Sequence, residues 1–429
     1  MVPRANHPGV TLGWWLAAWL TGVPVWANPV ESLEFHLGKA LFERNWVAAP
    51  ASTDSADGLG PLYNARSCAG CHPGGGRGRT AGPDGSPGPA LVLRLSLPGP
   101  DGPGPEPVYG AQIQPLAQPG QIPEGRLALT WSETQIRLAD GTPMMLRRPV
   151  VTLRDLGYGP LDSRALTAPR LAPSLTGLGI LEAIPETAIL ARADPRDEDG
   201  DGISGRANRV RDPVSGSLAL GRFGWKAGQS NLAGQVATAF ALDLGLSTLT
   251  HPAAAGDCTP RQPACLAAPK GDSPRHGGVE VGTEVAALVT GFVRALPVPP
   301  RRDPADPEVQ AGAAIFLTLG CASCHLPDHG PDPGQARLYT DLLLHDLGEG
   351  LADGWTEGEA GGREWRTPAL RGLGAAARAD GGAWLHDGRA QTLLEAILWH
   401  GGEAQASRDR VMALPTSSRA KLMRFLESL

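Results

Sequence analysis

Two pentads of the form Cys-x-x-Cys-His stand far apart in this chain, Cys68 to His72 and Cys321 to His325. No other feature restricts the possible folds as tightly. Two thiols at this spacing can each add to one vinyl group of a haem, and the adjacent imidazole then meets the iron from the proximal side. A zinc site would need four ligands per metal, and a redox dithiol would need a neighbouring βαβ pattern that the sequence lacks. The pentads therefore predict two covalently bound c-type haems, with Cys68, Cys71, Cys321 and Cys324 as attachment points and His72 and His325 as iron ligands.

Each pentad has the same frame around it. Before the first, Leu33, Leu37, Leu41 and Phe42 recur at helical spacing; before the second, Val309, Gly312, Ala313 and Phe316 do so, behind Asp306 as N-cap and Pro307 at the first helical position. Gly38 precedes Phe42 by the same step that separates Gly312 from Phe316. Val289, Phe292, Val293 and Leu296 match Leu422, Phe425, Leu426 and Leu429 position for position, so each copy closes on an amphipathic helix. Pro297 ends the first closing helix, and the stretch to Pro304 reads as a linker. The expected fold is mainly α, with two tandem cytochrome c-like domains over 28–297 and 298–429 behind a signal peptide at 1–27.

The first domain is the longer one. Asp57 to Asn64 delays its haem site relative to the second, and a long stretch follows His72 that a minimal cytochrome does not need. With 57 Gly and 41 Pro in 429 residues, this insertion is expected to be loop-rich. Gly74 to Gly104 reads as loop. Short strands are expected around Val150, Val151 and Leu153 and over Val210 to Lys226, and helices over Ile184 to Ala191 and Leu232 to Leu242.

Arg4, an apolar run from Val10 to Leu20, and Val25, Trp26 and Ala27 before Asn28 have the layout of a secretory signal cleaved after Ala27. An uncleaved anchor is the alternative, although the run is shorter than the ~20 residues of a spanning helix. No later stretch could span a membrane. Export implies a periplasmic, oxidising setting, where Cys258 and Cys265 pair as a disulfide or else form a free redox pair. The formal net charge is −6 and no basic block exists, which argues against nucleic acid as partner. An acidic surface suits a basic redox partner protein, a small cytochrome or cupredoxin. Asp197, Asp199 and Asp201 alternate before Gly202, which is either a loop-type calcium site or a solvated acidic turn. Asn208 stands where an EF-hand would need an acid.

After the second pentad come Leu344-His345-Asp346-Leu347-Gly348, then Arg366-Thr367-Pro368 with Arg371, then Leu385-His386-Asp387-Gly388-Arg389, and finally Thr392-Leu393, Glu395-Ala396 and His400-Gly401-Gly402. This series resembles the bacterial di-haem cytochrome c peroxidase superfamily, and more closely its di-haem oxidoreductase branch, over nearly all of the chain after the signal. The resemblance implies that His400, eight positions after Thr392, is the distal ligand of the second haem, with His345 as a rival and His386 beside the haem without ligating it. Bis-imidazole ligation would make that haem low-spin and leave the first haem open for peroxide or another small oxidant. It further implies that Gln114 and Glu124, ten residues apart, serve as distal proton-handling groups of the first haem. Arg366 and Arg371 are candidate propionate partners, and Met144 and Met145 are the soft candidates for the first iron. Trp131, Trp225, Trp365, Trp384 and Trp399 are candidates for an aromatic bridge between the irons. The implied activity is that of a haem-dependent oxidoreductase of the cytochrome c peroxidase type. A pure electron carrier and an oxidase of a partner protein or organic substrate are the rival readings.

Overall fold

The computed structural model describes Met1 and residues 32–52, 56–81, 86–99, 102–327, 338–379 and 383–429. The expected signal segment lies outside these residues.

The frame around each pentad is a pair of helices at backbone contact. In the first half, the opening helix Leu33–Glu43 lies on the closing helix Thr283–Ala295; in the second, Pro307–Thr318 lies on Thr416–Ser428. Ser32 caps the first opening helix by accepting from Phe35 N at 3.1 Å, and Asp306 caps the second by accepting from Glu308 N at 2.7 Å, with Pro307 following. The repeated glycine now has a reason. A Cβ on Gly38 would sit 2.3 Å from Leu288 O and 2.8 Å from Phe292 Cβ, and one on Gly312 would sit 2.1 Å from Lys421 O and 2.7 Å from Phe425 Cβ. One turn on, Phe42 meets Phe292 with ring centroids 5.0 Å apart, and Phe316 meets Phe425 at 5.3 Å.

Two main cores follow from these pairs. Phe42, Trp46, Phe240, Val289, Phe292 and Val293 belong to one; Val309, Phe316, Tyr339, Val411, Leu422 and Phe425 to the other. The cores are pressed together, because Leu338, Leu342 and Leu343, which follow the second pentad, pack into the first core while Tyr339 packs into the second. Helix Leu232–Asp243 fills the first core as its periodicity predicts, and helix Glu186–Leu190 lies within the expected span.

The expectation of a mainly α fold needs correction: the fold is mixed. Among the described residues are five two-stranded antiparallel ladders. Strand Leu91–Ser96 runs through the stretch read as loop and pairs with Leu166–Leu171. Leu91, Leu93 and Leu95 are buried and Val92 and Arg94 partly buried, a short alternation set among the Gly and Pro that read as loop. A 12-residue strand, Arg126–Arg137, pairs with Pro143–Arg154, which contains the expected Val150 region, and Arg209–Arg211 pairs with Leu218–Leu220. Cys258 and Cys265 form the disulfide. No helix among the described residues is long and apolar enough to cross a membrane.

The helix contact makes opposite predictions for two glycines. Gly312→Ala drives a methyl into the Lys421 carbonyl and should cost about 1–3 kcal/mol. Gly291→Ala, in the helix Thr283–Ala295 with nothing within 4 Å of the added carbon, should gain about 0.5–1 kcal/mol. Urea-denaturation midpoints moving in the same direction for both would contradict the packing described.

Candidate functional site

The second pentad opens onto a cavity whose wall is mostly apolar. Cys321, Cys324 and His325 line it together with His400, which sits just beyond the short helix Leu393–Leu398. His325 Nδ1 donates to Tyr339 O at 3.1 Å and His400 Nδ1 donates to Ala396 O at 2.8 Å. In each ring this leaves Nε2 with its lone pair for a metal, the arrangement that fixes a ligand's tautomer. Burial lowers both imidazoles below their ordinary value, His325 to about 4 with the neighbouring His400 contributing, so both are neutral at neutral pH. Burial also pushes the Cys321 thiol up to about 11 and raises Cys324, so neither has the thiolate character of a redox pair.

Two guanidiniums test whether the cavity suits a haem. Arg366 lines it and Arg371 follows nearby; their bonds go to the carbonyls of Gly224 and Thr367 and to that of Thr176. Neither pairs with a carboxylate among the described residues. Burial lowers Arg366 to about 10, against the pull of Asp341, and burial with repulsion from Arg366 lowers Arg371 to about 9. Partly buried cations with no carboxylate ion pair among the described residues are what two propionates would satisfy. Sulfur pair, apolar wall, facing imidazoles and spare cations together fit a covalently held haem.

His345 is not a rival ligand. Its Nε2 bonds Asp341 at 2.8 Å and its Nδ1 bonds Glu403 at 2.7 Å, so no nitrogen is left for iron. Burial opposes its protonation, but hydrogen bonds to Asp341, Cys324 and Glu403 outweigh that and raise it to about 12. His386 also lines the cavity. Its ring stacks on Trp365 at 3.8 Å and 14°, while Lys226 lies 4.0 Å and Arg170 4.9 Å from the indole centroid.

At the first pentad, His72 Nδ1 donates to Pro173 O at 2.9 Å, which repeats the tautomer of His325. Burial lowers His72, and burial with the nearby Asp243 charge raises the Cys68 thiol to about 12 and Cys71 further. Gln114 and Glu124 are brought together: Glu124 accepts from Gln114 N and from Gln262 Nε2, both at 2.6 Å. Gln114 Nε2 donates to Leu242 O at 2.7 Å, and Gln112 Nε2 donates to Asp243 at 2.9 Å, so this polar cluster abuts the carboxylate that acts on the pentad. Gln112, Asp243 and Gln262 had no mark in the sequence, since their partners lie up to 138 residues away. Gln112, two positions before Gln114, was the only one within reach of local reasoning.

Two expectations shift. Met144 packs with Leu398 at the far end of the long hairpin and Met145 is 48% exposed, so neither serves the first iron. In the acidic loop, Asp194 rather than Asp201 groups with Asp197 and Asp199, their oxygens within 4.8 Å; Asp201 accepts from Ile203 N instead. Asn208 is buried and donates to the carbonyls of Lys226, Ala227 and Glu357, a structural role outside that loop.

The profile of the family described as "Di-haem oxidoreductase, putative peroxidase" matches residues 21–84 and 118–429. The chain belongs to this family. No match is found among curated proteins. Similar solved structures include the diheme peroxidase BthA from Burkholderia thailandensis (15% identity, 94% of this chain and 88% of that one, TM-score 0.44). Others are a MauG-like protein associated with microbial copper homeostasis (16%, 65% and 80%, 0.33) and a hydrazine synthase from Kuenenia stuttgartiensis (21%, 36% and 57%, 0.26).

In this di-haem oxidoreductase the two pentads are close through shared walls. Arg77, five residues after His72, lines the second cavity, and Ala383 of the second half packs with Cys71. Trp225 lines the same cavity and donates from Nε1 to Leu171 O at 2.9 Å, Leu171 being packed against Cys71. Trp131 instead lies under Arg147 on the hairpin.

Glu124 gives this oxidoreductase a pH signature. Burial raises it from 4.5 to about 8, against its bonds to Gln262 and Gln114. Its contribution to stability is complete below about pH 4.5 and is lost as pH rises through about 8. Glu124→Gln should flatten the denaturation midpoint between those values; an unchanged slope would place the titration elsewhere.

Proposed function

We propose that the chain is an exported, periplasmic di-haem c-type oxidoreductase of the peroxidase type, with electron storage at the second haem and peroxide reduction at the first. The observation that carries this reading is the pair His325 and His400, which line one cavity with Nε2 free on each ring. His325 and His400 would hold the second haem between them, and a haem held by two imidazoles would be low-spin with a potential below that of a His/Met pair. His72 would hold the first haem and leave it open to a small oxidant. When bound, the haems supply the one-electron chemistry.

The chain's own residues account for protons and routing. Reduction of hydrogen peroxide to two waters consumes two electrons and two protons. Glu124, raised to about 8, still carries its proton at neutral pH and is matched to give it up at the reacting oxygens, with Gln114 holding the substrate. A small cytochrome or cupredoxin would supply electrons, and Trp225, which lines the second cavity and bonds the carbonyl of Leu171 beside Cys71, stands between the two sites. The Cys258–Cys265 disulfide is consistent with an oxidising compartment.

Denatured protein should keep its haem stain and show a mass increase of two haems; one haem or none would sink the reading. His400→Ala should turn one low-spin ferric haem high-spin, and His72→Ala should abolish peroxide-dependent oxidation of reduced cytochrome c. Resting and reduced states without any high-spin signal, together with no peroxide turnover, would mark a pure electron carrier instead.

A further inference from the structure

The hairpin Arg126–Arg154 belongs by sequence to the first half, yet it ends on the second. Near its root, Leu129 packs against the cluster containing Cys71, Ala90 and Leu171. At its tip, Leu138 and Leu146 are 3% and 7% exposed and pack with Leu398. Ala139 N donates to Met412 O at 3.0 Å, and Asp140 accepts from both Arg419 and Thr416 at 2.7 Å. Alongside, Arg148 lies over Trp399 at 5.6 Å, and Arg147 Nε donates to Arg389 O at 3.0 Å.

The receiving element is the helix Leu393–Leu398, only six residues long, with Trp399 and His400 after it. A helix of that length has little stability of its own, since nucleation costs more than so few hydrogen bonds return. Gly401 and Gly402 follow, the latter at φ +52°, and the next anchor is Glu403, which accepts from Ser204 and Asp346. The bond from His400 Nδ1 to Ala396 O fixes the ring on its helix but does not fix the helix in the cavity. Two faces divide the work. Leu393, Ala396, Ile397 and His400 line the cavity, whereas Leu394 and Leu398, one turn apart, lie with the hairpin tip.

We propose that this hairpin is a strap that holds His400 on the second haem, with Leu138 and Leu146 as positioning residues. The inference rests on His400 being the distal ligand. Without the strap, the folded protein keeps both haems, but the His400 helix lifts from the cavity and the second iron becomes accessible to other ligands.

The test uses the holoprotein in three forms: His400→Ala, the double variant Leu138→Ala/Leu146→Ala, and a shortened hairpin in which Asn-Gly joins Gln135 to Met145. Far-UV circular dichroism and haem content verify folding; should the shortened form not fold, the double alanine variant decides. Each strap variant should raise the affinity of the second haem for added imidazole by about tenfold or more, since displacing a loosened ligand takes less work. Part of its ferric signal should turn high-spin while the first haem's spectrum stays put. Strap variants that remain fully low-spin with unchanged imidazole affinity, beside a high-spin His400→Ala, would overturn the strap and leave the ligand intact. An unchanged spectrum in His400→Ala would remove the ligand assignment and the strap with it.

Discussion

Everything at the second haem site hangs on two helices meeting at Gly312 with no room for a side chain. That contact brings Phe316 against Phe425, and Tyr339 completes the group with its ring 5.9 Å from both. The carbonyl of Tyr339 is the one that orients His325. A backbone contact between helices thus sets the tautomer of the pentad's imidazole through one aromatic cluster. The first half repeats the contact at Gly38 and lets Pro173 orient His72.

Charge is the second organising constraint. The junction of the two halves buries Lys226, fully inaccessible, between the carbonyls of Gly361 and Glu364 with Asp353 nearby, and burial lowers it to about 8. Arg170 pairs with the same Asp353. Both cations stand over Trp365, which makes an electron harder to remove from that indole than from a neutral surrounding. Trp225, over whose ring no cation stands among the described residues, is the one that the proposed electron transfer would favour. Sequence inspection offered five tryptophans without a way to rank them. The ranking comes from what lies over each ring.

The candidate residues were legible to different depths. The pentads, the repeated helix ends and the Asp306 cap could be read because each is a local pattern with a local physical cause. Glu124 and Gln114 could be proposed as a pair, but Gln262, which holds the other carboxylate oxygen, sits 138 residues away inside the Cys258–Cys265 loop. His345 looked like a ligand until Asp341 and Glu403 were seen to occupy both nitrogens. The mainly α expectation failed at short strands such as Leu91–Ser96, whose alternation is hidden by the Gly and Pro around it that read as loop. The long hairpin was seen only as a strand near Val150; that its tip reaches the His400 helix has no trace in the pattern.

By itself, the sequence determined two Cys-x-x-Cys-His pentads, a duplicated helical frame and which imidazoles a haem iron could draw on. These follow from covalent spacing and helical period, which act within a few residues. Tertiary structure decided which nitrogens are left free, which cations lack a carboxylate partner among the described residues, and which segment packs on the helix before His400. Those are properties of groups distant in the chain, and a side chain's neighbours across space, not along the chain, set its protonation and its freedom to move.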